Sequence, residues 1–208
     1  MFPRELAEVP MTVLAAYPWK TNAHLIEDVA KLGYLDGLVL DATYGLGTWW
    51  KRWQPPLGWL VKNDLRARGE ALSYDFRGFP VNWADRYDVV AFDPPYKLNG
   101  TPDPSIDSRY GVHVATTWVQ RHHLIREGIK ECWRVLKPGG YLLLKCQDQV
   151  CSGQIRWQTD TFTEYAWAQG LVKVDRFDML GTGRPQPEGR RQVHAHQRPS
   201  TLLVFQKS

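Results

Sequence analysis

The sequence predicts an α/β fold, an open and mostly parallel sheet with helices on both faces and an antiparallel hairpin at its end. Short apolar runs alternate with stretches of helical periodicity along the chain. The last two runs follow one another with no helical stretch between them, which pairs them antiparallel. Glycines or prolines follow two of the runs, at 45–47 and 94–95, where strands of such a sheet give way to loops.

The elements follow in order. Residues 22–32 carry Leu25, Ile26, Val29, Ala30 and Leu32 at helical spacing. Residues 38–40 form a short buried strand ending at Asp41, and 59–61 a second one leading to Asp64. Residues 87–92 are the clearest strand, an apolar run with β-branched residues that Pro94 and Pro95 stop abruptly. Residues 118–136 are the clearest helix, with Trp118, Ile125, Ile129, Trp133 and Leu136 on one stripe and His122 and His123 on its exposed flank. Lys137-Pro138-Gly139-Gly140 then turns into a strand over 141–144. A helix over 161–169 ends at Gly170, and strands over 172–180 and 201–206 close the chain.

The 208 residues suffice for one α/β domain with a full-sized core, and 43% hydrophobic content argues against disorder. We therefore expect a single unit over 1–208, with an N-terminal segment and helix over 1–36 and a core over 37–208. No apolar run approaches the ~18–20 residues that span a bilayer. The start, with early acidic residues and two prolines, does not read as a signal peptide, so a cytoplasmic protein without membrane association is expected. Cys132, Cys146 and Cys151 lack zinc-like spacing and read as reduced thiols, and no metal site is expected.

The net charge of +4 permits a polyanionic partner without requiring one. Between 183 and 199 lie Arg184, Arg190, Arg191 and Arg198, with His194, His196 and a single acid, Glu188. That stretch fits either a solvated loop or a surface that contacts phosphates.

Two constellations carry chemistry. In the first, Asp41, Thr43, Gly45, Gly47 and Thr48 follow a strand, and the glycines let backbone approach a ligand at the sheet's carboxyl edge. Gly-x-Gly alone also fits a tight structural turn. Trp50 stands where a dinucleotide fingerprint would have its third glycine, which speaks against a pyrophosphate on the helix N-terminus. Asp64, after the second strand, can accept from ribose hydroxyls or can cap a helix.

The second constellation is Asp93-Pro94-Pro95-Tyr96, directly after the clearest strand. Each proline confines the residue before it to extended geometry, so the carbonyls of Asp93 and Pro94 are held rigidly at the sheet edge. A carboxylate, a fixed carbonyl and an aromatic ring there suit an amino group on a heteroaromatic ring. The two acceptors would take its N–H bonds, and Tyr96 would offer a stacking face. A Pro-Pro loop with a helix-capping aspartate is the plainer alternative.

On these residues the chain resembles the exocyclic-amino DNA methyltransferases, which make N6-methyladenine or N4-methylcytosine. Residues 41–48 resemble their S-adenosylmethionine loop, 93–96 their Asp-Pro-Pro-Tyr motif, 136–141 the turn into their fifth strand, and 191–207 their closing hairpin. The resemblance implies a Rossmann-like fold with a mostly parallel seven-stranded sheet, and S-adenosylmethionine as cofactor. It places Asp93, Pro94, Pro95 and Tyr96 at the catalytic site. It places Asp41, Gly45 and Gly47 by the cofactor's methionine part, with Thr43 and Thr48 in the same loop. Asp64 would hold the ribose, Asp75 the adenine amino group, and Lys20 would lie in a loop covering the cofactor.

No separate target-recognition domain is evident in the sequence. The substrate grip would then fall to Arg109, Arg184, Arg190 and Arg191, or to a partner subunit or second copy. The implied substrate is nucleic acid, DNA before RNA. An RNA-base amino methyltransferase and a non-catalytic, cofactor-binding nucleic-acid subunit are the alternatives. A protein-glutamine methyltransferase would more typically have asparagine where Asp93 stands.

Overall fold

The computed structural model describes residues 19–66, 69–98, 117–180, 193–195, 197 and 199–208. Helix α1 (Asn22–Lys31) starts at Thr21, whose side chain accepts from the His24 backbone N–H, and it buries Ala23, Leu25, Ile26 and Val29. Strands β1 (Val39–Asp41), β2 (Leu60–Lys62) and β3 (Tyr87–Phe92) follow, with short 3-10 helices at Thr48–Lys51 and Val81–Trp83. Helix α2 (Trp118–Val135) opens with a reciprocal capping box between Thr117 and Gln120. Then come β4 (Leu136–Cys146), a small hairpin of β5 (Gln149–Cys151) and β6 (Gln154–Arg156), helix α3 (Gln158–Ala168), β7 (Leu171–Leu180) and β8 (Pro199–Lys207).

The main sheet runs β2-β1-β3-β4-β8-β7. Strands β1 to β4 pair parallel, and β8 runs antiparallel to both β4 and β7. Side chains alternate between two cores as the pleat requires. Val39, Val89, Ala91, Leu143 and Val204 pack with α1, Trp49 and Trp50 on one face. Leu40, Val90, Phe92, Leu142, Leu144 and Phe205 meet Ile125 and Ile129 of α2 and Phe162 of α3 on the other.

The expected seven strands become six in this sheet, among the described residues. Where a seventh would run outside β2, a single parallel bridge joins Asn63 and Leu72. The ladder stops because the Asn63 side chain takes over the next rung. Its Oδ1 accepts from the Tyr74 backbone N–H at 2.9 Å, and its Nδ2 donates to the Tyr74 carbonyl at 3.0 Å. That amide also donates to the Ala42 carbonyl at 3.1 Å, so the turned chain is tied to β1 instead of extending as a strand.

Smaller departures have local causes. Leu136 already pairs with Tyr87, so β4 begins at the end of α2, and the ladder resumes at Tyr141 after the turn carrying Gly139 at φ 78. Helix α3 starts earlier than its periodicity suggests because Asp148 caps it, accepting from Thr159 N–H at 2.9 Å. His122 is 6% exposed, not on the exposed flank of α2, since its ring packs on Phe162. The β5–β6 hairpin has no counterpart in the sequence expectation.

Lys207 locks the end of β8 to the end of α2. Its ammonium donates to the Trp133 carbonyl (2.9 Å), the Leu136 carbonyl (2.7 Å) and the Asp85 carboxylate (2.7 Å). These helix-terminal carbonyls have no intrahelical partner, and a buried cation satisfies them. Among the described residues no helix is long and apolar enough to cross a membrane.

Candidate active site

The carboxyl ends of β1, β2 and β3 bring three aspartates into one hydrogen-bonded cluster. Asp41 ends β1 and is 5% exposed. It accepts from the Thr43 backbone N–H at 3.0 Å and from the Trp50 indole N–H at 2.6 Å. Asp64, just past β2, accepts from Gly45 N–H at 2.9 Å. Asp93, just past β3, accepts from the Trp49 indole at 3.1 Å, while its own N–H donates to the Thr43 hydroxyl at 2.8 Å. Thr43 thus bridges the glycine loop and the Asp-Pro-Pro-Tyr turn.

The loop between Asp41 and the first 3-10 helix depends on its glycines. Gly45 and Gly47 have φ 53 and 64, in the left-handed region. A Cβ on Gly47 would come within 2.5 Å of the Tyr44 hydroxyl. One on Gly45 would stand 4.0 Å from the Asp64 carboxylate, filling the space beside it. Bare backbone next to a carboxylate is what a ribose-bearing ligand needs there.

Burial sets the charge of this cluster. Desolvation pushes the Asp41 carboxyl up to about 7 against the Trp50 and Thr43 hydrogen bonds, with Asp93 and Asp64 adding repulsion. Desolvation also pushes Asp93 up to about 6, opposed by the positive charge of Lys145 and the Trp49 bond. Lys145 lies near the end of β4, 1% exposed, and its ammonium finds no hydrogen-bond acceptor among the described residues. Its burial lowers it to about 8, with Asp93 and Asp178 acting the other way.

The Asp93 turn is buttressed from behind. Pro94 is buried and Tyr96 half-buried against the core that holds α2 and α3. The Tyr96 carbonyl accepts from Gln149 at 3.0 Å and Gln158 at 3.1 Å, and Leu98 N–H donates to Gln149 at 3.1 Å. The unforeseen hairpin therefore fixes the turn's exit.

Asp41, Thr43, Gly45, Asp64 and Asp93 are joined by this network, with Gly47 in the same loop. Asp75 lies beyond the Asn63 bridge, its carboxylate engaged by Arg77 (2.6 Å), which holds it below its ordinary value. Lys20 is exposed just before α1, and Thr48 is exposed at the start of the first 3-10 helix. Arg109, Arg184, Arg190 and Arg191 lie outside the described residues. Sequence reading missed Trp49, Trp50 and Lys145 as site residues. A lysine ending the run Leu142-Leu143-Leu144 was a usable signal, because a charge at the carboxyl end of a buried strand faces the ligand edge.

No family model matches the chain, and no curated protein matches it. Solved structures do. A protein of Thermus thermophilus, provisionally named a DNA modification methylase and complexed with S-adenosyl-L-methionine, aligns at 16% identity and a TM-score of 0.43. That alignment covers 64% of this chain and 53% of the Thermus protein, so the chain spans about half of its length. A protein of Galdieria sulphuraria, provisionally named a sarcosine dimethylglycine methyltransferase, aligns at 14% identity and a TM-score of 0.53, over 90% of this chain and 85% of its own. The 1,6-didemethyltoxoflavin-N1-methyltransferase of Burkholderia thailandensis, with bound S-adenosylhomocysteine, aligns at 12% identity and a TM-score of 0.51, over 90% of this chain and 76% of its own. The likeness to the last two is one of architecture, and the chain has the Rossmann-like fold of these methyltransferases.

Proposed function

We propose that the chain is an S-adenosylmethionine-dependent methyltransferase acting by direct in-line displacement on an exocyclic amino group of a nucleic-acid base, N6 of adenine or N4 of cytosine, with DNA the favoured polymer. One observation carries this reading. Asp93, at the head of Asp-Pro-Pro-Tyr, is tied to the glycine loop that would hold the cofactor, its carboxylate accepting from the Trp49 indole and its backbone N–H donating to the Thr43 hydroxyl. The proposed acceptor and cofactor residues lie on one edge of the sheet, which supports a transfer between them.

The residues fit the cofactor. Gly45 and Gly47 would admit its methionine part beside Asp41, Asp64 would take its ribose hydroxyls, and Thr43 and Thr48 complete the loop. Asp75 and Lys20 would border the adenine and the outer face. When bound, the cofactor supplies an electrophilic methyl group on a sulfonium sulfur. Asp93, as a carboxylate, accepts one N–H of the substrate amino group, and the Pro94 carbonyl takes the other. These acceptors are in place before reaction and hold the nitrogen lone pair toward the incoming carbon. Once methylated, the nitrogen sheds a proton to Asp93 or to water. A base drawn from a duplex must be flipped out, at a cost of a few kcal/mol that stacking on Tyr96 offsets in part.

The test offers labelled S-adenosylmethionine with unmethylated duplex DNA, single-stranded DNA and bulk RNA, followed by nucleoside mass spectrometry. Labelled N6-methyladenine or N4-methylcytosine from DNA is the expected result. Label in RNA alone would move the protein to the RNA-base reading. Cofactor binding with no transfer to any pool would favour a non-catalytic subunit or one that needs a partner.

A further inference from the structure

A cleft of about 300 Å³ lined by Trp118, His122, Arg126, Arg156 and Trp157 lies outside the site described above. The β5–β6 hairpin joins the two. Gln149 on β5 holds Leu98 and Tyr96, and Ile155 and Arg156 on β6 form a wall of the cleft. His194, from the arginine-rich stretch, pairs with the Gly153 carbonyl at the hairpin's tip at 2.9 Å.

Its chemistry is that of an anion site with an aromatic rim. The Arg156 guanidinium lies 4.0 Å over the Trp118 ring, and that of Arg126 lies 5.5 Å over Tyr165. The Nε atoms of both arginines and Nε2 of His122 are buried without a hydrogen-bond partner among the described residues. Buried charged donors without acceptors are costly unless a ligand supplies the acceptor. Burial, and then the charges of Arg126 and Arg156, hold His122 down at about 4, so its ring is neutral at pH 7 and the positive charge belongs to the arginines. Trp118 is the first residue of α2 and Trp157 the cap of α3, so two helix N-termini add their positive ends. Trp157 is 47% exposed and offers an open indole face at the rim.

Resting on the proposed function, we infer that this cleft grips the substrate strand beside the target base, with Arg126 and Arg156 on a backbone phosphate and Trp157 stacked on a flanking base. A guanidinium pair with a neighbouring indole is the pattern that binds single-stranded nucleic acid without reading its sequence. The hairpin sets the spacing between this grip and the Asp93 turn.

The experiment is fluorescence anisotropy of a labelled single-stranded oligonucleotide over a series of salt concentrations. It compares wild type, R126Q/R156Q and W157A, with melting temperature and S-adenosylmethionine affinity as controls. The arginine pair should lose about tenfold in affinity, and its salt slope should fall by about 0.7 for each phosphate that the cleft no longer neutralises. W157A should lose roughly fivefold to a hundredfold with the slope unchanged. Because Trp157 is half-exposed, that variant keeps the test decisive if the arginine pair fails to fold.

Wild-type binding that neither change weakens would overturn the cleft alone and leave methyl transfer standing. Wild type that neither binds nor methylates the oligonucleotide would remove the functional reading and the cleft together. Displacement of the oligonucleotide by polyglutamate at equal charge would assign the cleft to acidic proteins and overturn the inference.

Discussion

Trp49 donates its indole N–H to the Asp93 carboxylate at 3.1 Å. The next residue, Trp50, does the same for Asp41 at 2.6 Å. Adjacent residues of one 3-10 turn thus orient the carboxylates of two different strands. Trp49→Phe should lower turnover about tenfold, the effect of losing one hydrogen bond to a charged group, with little change in the melting temperature. Trp50→Phe leaves a buried carboxylate short of a donor, and chemical denaturation should show a loss of about 1–3 kcal/mol. Equal effects of both changes on stability and turnover would contradict this division of roles.

Asp93→Ala should reduce methyl transfer by on the order of 10²- to 10³-fold, as removal of a preorganised polar contact does elsewhere. S-adenosylmethionine binding, measured by calorimetry, should stay within a few-fold of wild type. Near-normal turnover in this variant would place the catalytic site elsewhere.

The rate should depend on pH through the same carboxylate. Asp93 accepts an N–H more strongly when ionised, and burial pushes its carboxyl up to about 6. The kcat/KM profile should therefore fall as pH drops through about 6. Lys145 holds that value down, so Lys145→Met should move the acid limb to higher pH, while Lys145→Arg should leave it in place. A limb that stays put in the methionine variant would show that the two groups do not communicate.

The two loop glycines should separate fold from ligand. Gly47→Ala meets the Tyr44 ring as well as the left-handed backbone and should cost about 1–2 kcal/mol in stability. Gly45→Ala finds no atom closer than 3.9 Å and meets only the left-handed backbone, so it should lose less stability than Gly47→Ala and lose cofactor affinity as well. Thermal melts with and without S-adenosylmethionine distinguish the two.

Local signals were readable where one residue type dictates geometry. Pro94 and Pro95 fixed the end of β3, whose bounds agree with the sequence expectation at both ends. The periodicity over 22–32 likewise located α1 to within a residue. What the sequence hid was non-local. That Asn63 would replace a strand rung depends on Tyr74 and Ala42 arriving together. That His122 is buried depends on Phe162 of another helix. The tryptophans after the glycine loop pack into the core beside α1. Their N–H groups find carboxylates only because β1 and β3 are neighbours.

The position of β8 has a consequence for how the molecule is made. It separates β4 from β7 and is synthesised after both. Without it β4 would be an open edge, and Lys145, whose neighbour across that edge is Leu202, would lose part of its cover. The burial that lowers Lys145 therefore depends on β8, which follows every other described strand in the chain. A chain that lacked β8 would hold the Asp-Pro-Pro-Tyr turn without the buried cation beside it.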